Sequence, residues 1–152
     1  MFSKILYPTD FSDVSQKALA YIKSLKGAGA KTVIVLRVIN EKKAECISRG
    51  VAWSGMEVAD FLKESYRILM DEAKTEVAPI ESELKEAGFD VEVMVERGVP
   101  QLKILEIAEE KEVSVIILGS HGRSNLASAL LGSVSDHVIR HARQPVIVIK
   151  RD

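Results

Sequence analysis

Short apolar runs alternate along this chain with longer segments in which apolar residues recur at helical spacing. The short runs are residues 4–7, 32–39, 91–96, 113–118 and 145–150. Residues 32–39 and 113–118 are mostly apolar and rich in β-branched residues, which is typical of strands covered on both faces, whereas residues 91–96 alternate strictly, which suits a strand with one wetter face. Strands that alternate with helices in this way predict parallel strands joined by right-handed crossovers. The expected fold is therefore α/β, a doubly wound parallel sheet.

The longer segments carry start and stop signals of helices. They are residues 13–26, 57–87 and 101–111 and a stretch that follows Gly132. Ser12 or Asp13 supplies an N-cap for the first, and Gly27 with Gly29 supplies its stop. Pro79 lies inside the second, so we expect a kink or a break there.

Composition limits the class of protein. A chain of 152 residues is one domain on the usual size range, and 47% hydrophobic with 28% charged residues is an ordinary globular balance. Because 21 basic residues face 22 acidic ones, the basic surface of a nucleic-acid-binding protein is not expected. A single cysteine, Cys46, indicates a reducing compartment, and no apolar run is long enough to span a membrane. We expect a cytoplasmic protein with one domain over residues 1–152 and a variable loop at about 41–60.

Ligands of an open parallel sheet bind beyond the carboxyl ends of its strands. Three segments follow strands there: residues 8–12 (PTDFS), residues 38–40 (VIN) and residues 119–124 (GSHGRS). Asp10 has two open interpretations, a ligand for a ribose or an adenine amino group and a helix cap. The backbone of Val38 is a candidate for reading a base edge, although any strand end offers the same groups.

The spacing of three glycines favours a phosphate site. Gly119 and Gly122 form G-x-x-G, and nine residues later Gly132 and Ser133 stand at the start of a helix, where free N–H groups favour anions. The alternative is that the first two glycines only turn a tight loop and the third relieves a packing contact. Both common nucleotide signatures, G-x-x-x-x-G-K-[ST] and G-x-G-x-x-G, are absent, which argues against a P-loop NTPase or an NAD enzyme.

The histidines do not form a convincing metal site in the sequence. His137 and His141 are four residues apart but lie among surface charges, and an i,i+4 pair without further ligands is more often an exposed helix face. Trp53 is interpreted as a packing residue, and Cys46 has no evident base beside it. We assign no catalytic and no protein-held metal residue.

At these motifs the chain resembles the universal stress protein family, in its ATP-binding branch. The resemblance covers nearly the whole chain and rests on ILYPTDFS, LRVI, ERGVP, GSHGRSNL, LLGSVSDHVIRHA and PVIVIK. It implies a Rossmann-like fold of the adenine nucleotide alpha hydrolase type, five parallel strands in the order 3-2-1-4-5 with helices on both faces. The segment 41–60 departs from the pattern and varies widely among such proteins.

The resemblance also implies a ligand and its contacts. ATP, or else ADP or AMP, would bind with Mg²⁺ or Mn²⁺ held between its phosphates. Pro8 and Asp10 would meet the adenosine, Val38 would read the adenine edge, and Leu118 with Gly119 would line the sugar. The phosphates would lie among the residues of the glycine motif, which are Ser120, His121, Gly122, Arg123, Ser124, Gly132, Ser133 and Val134.

The resemblance and one further observation imply a homodimer through the last strand. Val146, Ile147, Val148 and Ile149 carry no guarding charge, and an apolar edge strand is stabilised by a partner. Functionally we expect an ATP-binding regulatory switch with an unidentified protein partner and little hydrolysis, because amides and a metal can hold ATP without lowering its hydrolysis barrier. The alternatives are a slow metal-dependent ATP hydrolase that uses His121 and a dimerisation module without nucleotide.

Overall fold

The structure, a computed structural model, describes residues 1–42, 44–45, 57–121 and 131–151. These residues form a five-stranded sheet in which all neighbouring strands are parallel. The strands are β1 (Lys4–Pro8), β2 (Thr32–Asn40), β3 (Asp90–Gly98), β4 (Val115–Gly119) and β5 (Val146–Ile149). Their order in the sheet is β3-β2-β1-β4-β5, so the predicted doubly wound sheet and its strand order are confirmed.

Helices connect the strands and lie close to the predicted segments. They are α1 (Asp13–Ser24), α2 (Val58–Glu86), α3 (Pro100–Glu110) and α4 (Ser133–His141). Ser12 is the N-cap of α1, and its side chain accepts the N–H of Ser15. A 3-10 turn follows α1 and ends at Gly29, whose φ of 95° is favourable only for glycine. Helix α2 continues through Pro79, so of the two expected outcomes the break is wrong and the kink stays a prediction.

The central strands β1, β2 and β4 are buried on both faces because helices pack on both, whereas the edge strand β3 is more exposed. One core lies between the sheet and helices α1 and α2, and the other lies between the sheet and helices α3 and α4. Alternate residues of β2 enter opposite cores: Val33 and Val35 the first, Ile34 and Leu36 the second. This double burial explains why β2 is apolar at nearly every position.

A crevice forms where the strand order reverses. β1 pairs with β2 on one side and with β4 on the other. The chain leaves β1 toward α1 on one face of the sheet and leaves β4 toward α4 on the opposite face. In such sheets the crevice at the carboxyl ends is the usual ligand position. Within the described residues, no helix combines the length and the apolar character needed to cross a membrane.

Candidate functional site

A cavity of about 580 Å³ opens at the carboxyl ends of β1, β2 and β4, where the strand order reverses. The starts of α3 and α4 close its sides. Most of the predicted site residues line it, namely Pro8, Asp10, Val38, Leu118, Gly119, His121, Gly132, Ser133 and Val134. Ser120, between Gly119 and His121 in the chain, is buried and does not line the cavity. Gly122, Arg123 and Ser124 lie outside the described residues.

Polar side chains hold the turn between β1 and α1 in a fixed shape. The N–H of Phe11 donates to Thr9 Oγ1 at 3.1 Å, and the N–H of Ser12 donates to Asp10 Oδ1 at 3.0 Å. Phe11 has a φ of 61°, uncommon for a bulky residue. Asp10 therefore closes the turn that leads into α1, and its carboxylate also lies on the cavity wall. The N-cap of the helix is Ser12, so the ligand role of Asp10 stays a prediction.

A chain of buried hydroxyl groups supports this turn from below. Tyr7 donates to the carbonyl of Ser15 at 2.6 Å, and Ser15 Oγ donates to Thr9 Oγ1 at 2.7 Å. Burial raises the pKa of Tyr7 above its ordinary value of 10.0, although its hydrogen bonds with Ser15 and Thr9 oppose the shift. The turn thus rests on a satisfied polar network inside an apolar core.

The backbone of Val38 faces the cavity because β1 is shorter than β2. Leu36 directs its carbonyl toward β1, where it accepts the N–H of Thr9 at 2.9 Å. Alternate residues of a parallel strand face the same neighbour, so Val38 directs its N–H and C=O to the same side. β1 ends opposite Leu36, and Val38 lies beyond that end. A strand-end donor and acceptor therefore point into the crevice.

Two glycines allow close contacts around the cavity. A Cβ at Gly119 would lie 2.9 Å from Val14 Cγ1, and a Cβ at Gly132 would lie 3.2 Å from the carbonyl oxygen of Ser120. That carbonyl accepts the N–H of Gly132 and the hydroxyl of Ser135, both at 2.7 Å. These bonds join the end of β4 to the start of α4. The packing interpretation of Gly132 is therefore correct, and Gly119 has a close packing contact as well, instead of only turning a loop. Both contacts are compatible with ligand binding.

Among the described residues, no side chain caps the start of α4, so its first N–H groups are available to the cavity. Gly132 is its N-cap and has no side chain with which to satisfy the first turn. Gly132, Ser133 and Val134 line the cavity at this point. The helix dipole places partial positive charge there, so the position favours an anion.

The three histidines occupy different surroundings. His121 lies on the cavity wall, and its Nδ1 is 2.9 Å from the hydroxyl oxygen of Ser120. The rings of His137 and His141 stack on the surface of α4 with centroids 4.1 Å apart. In the described ranges, no group of three or more His, Cys, Asp or Glu side chains could hold a metal ion. Cys46 and Trp53 lie outside the described residues.

Several apolar cavity residues were not predicted. Leu36, Ala44, Leu69, Pro100 and Ile104 add an apolar wall beside Val38 and Ile39. Pro100 and Ile104 could have been found, since α3 begins at the same sheet edge as the other helices. Leu69 gives no such signal, because it looks like any other core position of α2. A second cavity, of about 420 Å³, lies between α1 and α2 and contains none of the predicted residues.

Comparison with known proteins identifies the family. The sequence model of the protein family described as "Universal stress protein family" matches residues 1–150 of this chain. The chain belongs to this family. It is 43% identical to Universal stress protein MJ0577 of Methanocaldococcus jannaschii over 99% of this chain and 96% of that protein. A solved structure of MJ0577 superposes with a TM-score of 0.88 at 40% identity and covers 100% of this chain and 98% of its own.

Two further solved universal stress proteins share the fold at lower identity. A universal stress protein in complex with cAMP has a TM-score of 0.59 at 23% identity and covers 99% of this chain and 98% of its own. An Arabidopsis thaliana family protein with AMP bound has a TM-score of 0.56 at 15% identity, over 99% of this chain and 92% of its own. At these identities the likeness concerns the fold.

Proposed function

We propose that this protein is a single-domain, ATP-binding universal stress protein that acts as a nucleotide-dependent regulatory switch with little intrinsic hydrolysis. One observation carries the proposal. A single cavity at the strand reversal contains the carboxylate of Asp10, the open strand-end backbone of Val38 and the uncapped start of α4. These groups suit a ribose, a base edge and a polyphosphate, in that order.

The adenosine would occupy the part of the cavity between β1 and β2. The N–H and C=O of Val38 match the acceptor and donor on the adenine edge, and the apolar side chains of Ile39, Leu69 and Ile104 would cover the ring. Pro8 and Asp10 would contact the sugar side, with the carboxylate accepting ribose hydroxyl groups. Leu118 and Gly119 would form the remaining wall.

The phosphates would extend toward the start of α4. Backbone N–H groups of Gly132, Ser133 and Val134 would bind them, with Gly122, Arg123 and Ser124 of the glycine motif on the opposite side. Mg²⁺ or Mn²⁺ would be held between phosphate oxygens, as is usual for these ions with nucleotides. Two proteins of this fold carry cAMP and AMP, which supports the adenine nucleotide class.

A binding role is favoured over fast hydrolysis. Backbone amides contact the ground state and the transition state alike, and such uniform binding does not raise turnover. The alternative is a slow metal-dependent hydrolase, which the position of His121 on the cavity wall favours. Release of ADP at many turnovers per minute by pure protein with Mg²⁺ would support the hydrolase instead.

The experiment combines ligand identification with one substitution. Mass spectrometry of ligand released from gently purified, denatured protein should detect an adenine nucleotide. In calorimetric titrations with Mg·ATP, Gly132→Val should weaken binding at least about tenfold, because its side chain would crowd both the phosphates and the carbonyl of Ser120.

Gly27→Val is the matched control, since a Cβ at Gly27 would meet no atom within 4 Å. It should bind Mg·ATP as the parent does. Equal affinity of the Gly132→Val variant and the parent would show that the phosphate site is wrongly placed.

The proposal includes assembly. β5 is an edge strand among the described residues, so Val146, Ile147, Val148 and Ile149 can pair with the same strand of a second chain. A twofold homodimer would pair the β5 edge of each chain with that of the other. A regulatory protein partner would then read the nucleotide state.

A further inference from the structure

Arg37 connects the two segments to which the proposed function assigns adenosine binding. It lies on β2 and borders the cavity. Its guanidinium is 5.3 Å from the centre of the Phe11 ring, and its Nη1 donates to the carbonyl of Val38 at 3.4 Å. One side chain thus contacts the residue beside Asp10 and the residue whose backbone faces the adenine edge.

The contact with Phe11 bears on the position of Asp10. Phe11 has a left-handed φ of 61°, a conformation that costs free energy and persists only where surrounding contacts compensate for it. A stacked guanidinium favours one position of the ring by cation–π attraction, and the neighbouring carboxylate of Asp10 is fixed by the same turn. Arg37 therefore stabilises the conformation that places Asp10 at the cavity.

The contact with Val38 bears on the adenine edge. A carbonyl oxygen has two lone pairs, so the Val38 carbonyl can accept from Arg37 and still accept from a ligand. A hydrogen bond from a cation restrains the orientation of that carbonyl. The planar guanidinium can stack and donate at once, which a lysine ammonium cannot do.

We propose that Arg37 is a positioning residue for nucleobase and ribose recognition: its guanidinium, stacked on Phe11 and bonded to the Val38 carbonyl, fixes the distance between the Asp10 turn and the end of β2. This inference rests on the proposed function, because it assumes that adenosine binds between these segments. It assigns to Arg37 no contact with the phosphates.

Arg37→Lys tests this role, because it keeps the charge and removes the planar contact. Calorimetric titrations use Mg·ATP, Mg·GTP and inorganic tripolyphosphate. We expect the Kd for ATP to rise about tenfold, the preference for ATP over GTP to fall, and the Kd for tripolyphosphate to stay within about twofold of the parent. Phe11→Leu should give the same pattern of Kd changes. The double variant of Arg37→Lys and Phe11→Leu should have little further loss of ATP affinity, because both changes break the contact between Arg37 and Phe11.

The matched control is Arg97→Lys. Arg97 stacks on Tyr66, with its guanidinium 4.7 Å from the ring centre, at the end of β3 instead of β2. Its substitution should leave the preference for ATP over GTP unchanged.

The outcomes separate the two hypotheses. A parent protein that binds neither ATP nor tripolyphosphate overturns the proposed function itself. A parent that binds ATP, with an Arg37→Lys variant of unchanged affinity and base preference, overturns the role of Arg37 alone. Equal weakening of ATP and tripolyphosphate together with a lower melting temperature would mean a general structural role and would also overturn it. Should Arg37→Lys fail to fold, Phe11→Leu decides by the same criteria.

Discussion

Gly119 lies where β4 and α1 approach each other closely beside the site. Its Cβ would lie 2.9 Å from Val14 Cγ1 and 3.3 Å from the backbone nitrogen of Ser15. We expect Gly119→Ala to lower the free energy of unfolding by about 1–3 kcal/mol, because neither α1 nor β4 can shift freely. Urea unfolding measures this change. Gly27→Ala, with open space around the new methyl group, should change it by less than about 0.5 kcal/mol.

Tyr7 gives a pH prediction at the same scale. Its pKa in the folded protein is raised above 10.0, chiefly by burial. As pH rises through about 10, the unfolded chain releases this proton first, so the folded state loses stability from that pH upward. Tyr7→Phe should show a smaller alkaline loss of stability in urea unfolding between pH 9 and 11, a range set by the ordinary tyrosine pKa of about 10.

The matched control for Tyr7 is Tyr21→Phe, because the side chain of Tyr21 is half-exposed on α1. Parallel alkaline curves for the parent and Tyr7→Phe would contradict the prediction.

At the scale of elements, α2 carries a proline within an unbroken helix. Pro79 donates no N–H, so the carbonyl of Thr75, four residues earlier, lacks its usual helical donor. Both residues are exposed, and water can replace that bond. Pro79→Ala should raise the free energy of unfolding, by up to about 3 kcal/mol on the scale of helix propensities. Thermal and urea unfolding measure the gain, and Lys74→Ala on the same exposed helix should give little change. A Pro79→Ala variant less stable than the parent would mean that the proline fits a required bend.

The elements also show how far the sequence was sufficient. Strands and helices follow from local patterns, since β-branched runs and helical spacing act within a few residues. Their predicted ends differ from the observed ones by at most two residues. The glycine spacing located the start of α4 because that signal is also local. Nothing in the sequence indicates that Leu69 and Arg37 line the cavity. Leu69 resembles any core position of a helix, and Arg37 is a charged residue within a buried strand. Their place at the cavity depends on packing between segments distant in the chain.

At the scale of the whole molecule, β5 determines the predicted assembly. The carbonyls of Pro145 and Ile149 accept the N–H groups of Ile116 in β4 and of Ser120 directly after it. The alternate residues Val146 and Val148 therefore direct their backbone groups to the open edge. Val148→Pro removes one outward N–H and no bond to β4. Light scattering should report twice 16.8 kDa for the parent and 16.8 kDa for this variant.

Val148→Thr is the control for the dimer, because it keeps the N–H and the branched shape at the same position. It should remain dimeric. A parent of single-chain mass, or a dimeric Val148→Pro variant with a native circular-dichroism spectrum, would contradict pairing through β5.

The central place of β1 has a consequence for synthesis on the ribosome. Ile5 pairs with Val115, so one side of β1 stays unpaired until a partner 110 residues later in the chain has been synthesised. Until then β1, β2 and β3 form a partial sheet with an open apolar edge, a surface prone to aggregation. We therefore expect nascent chains that stop before β4 to associate with molecular chaperones, and chains that extend through β5 to be released from them.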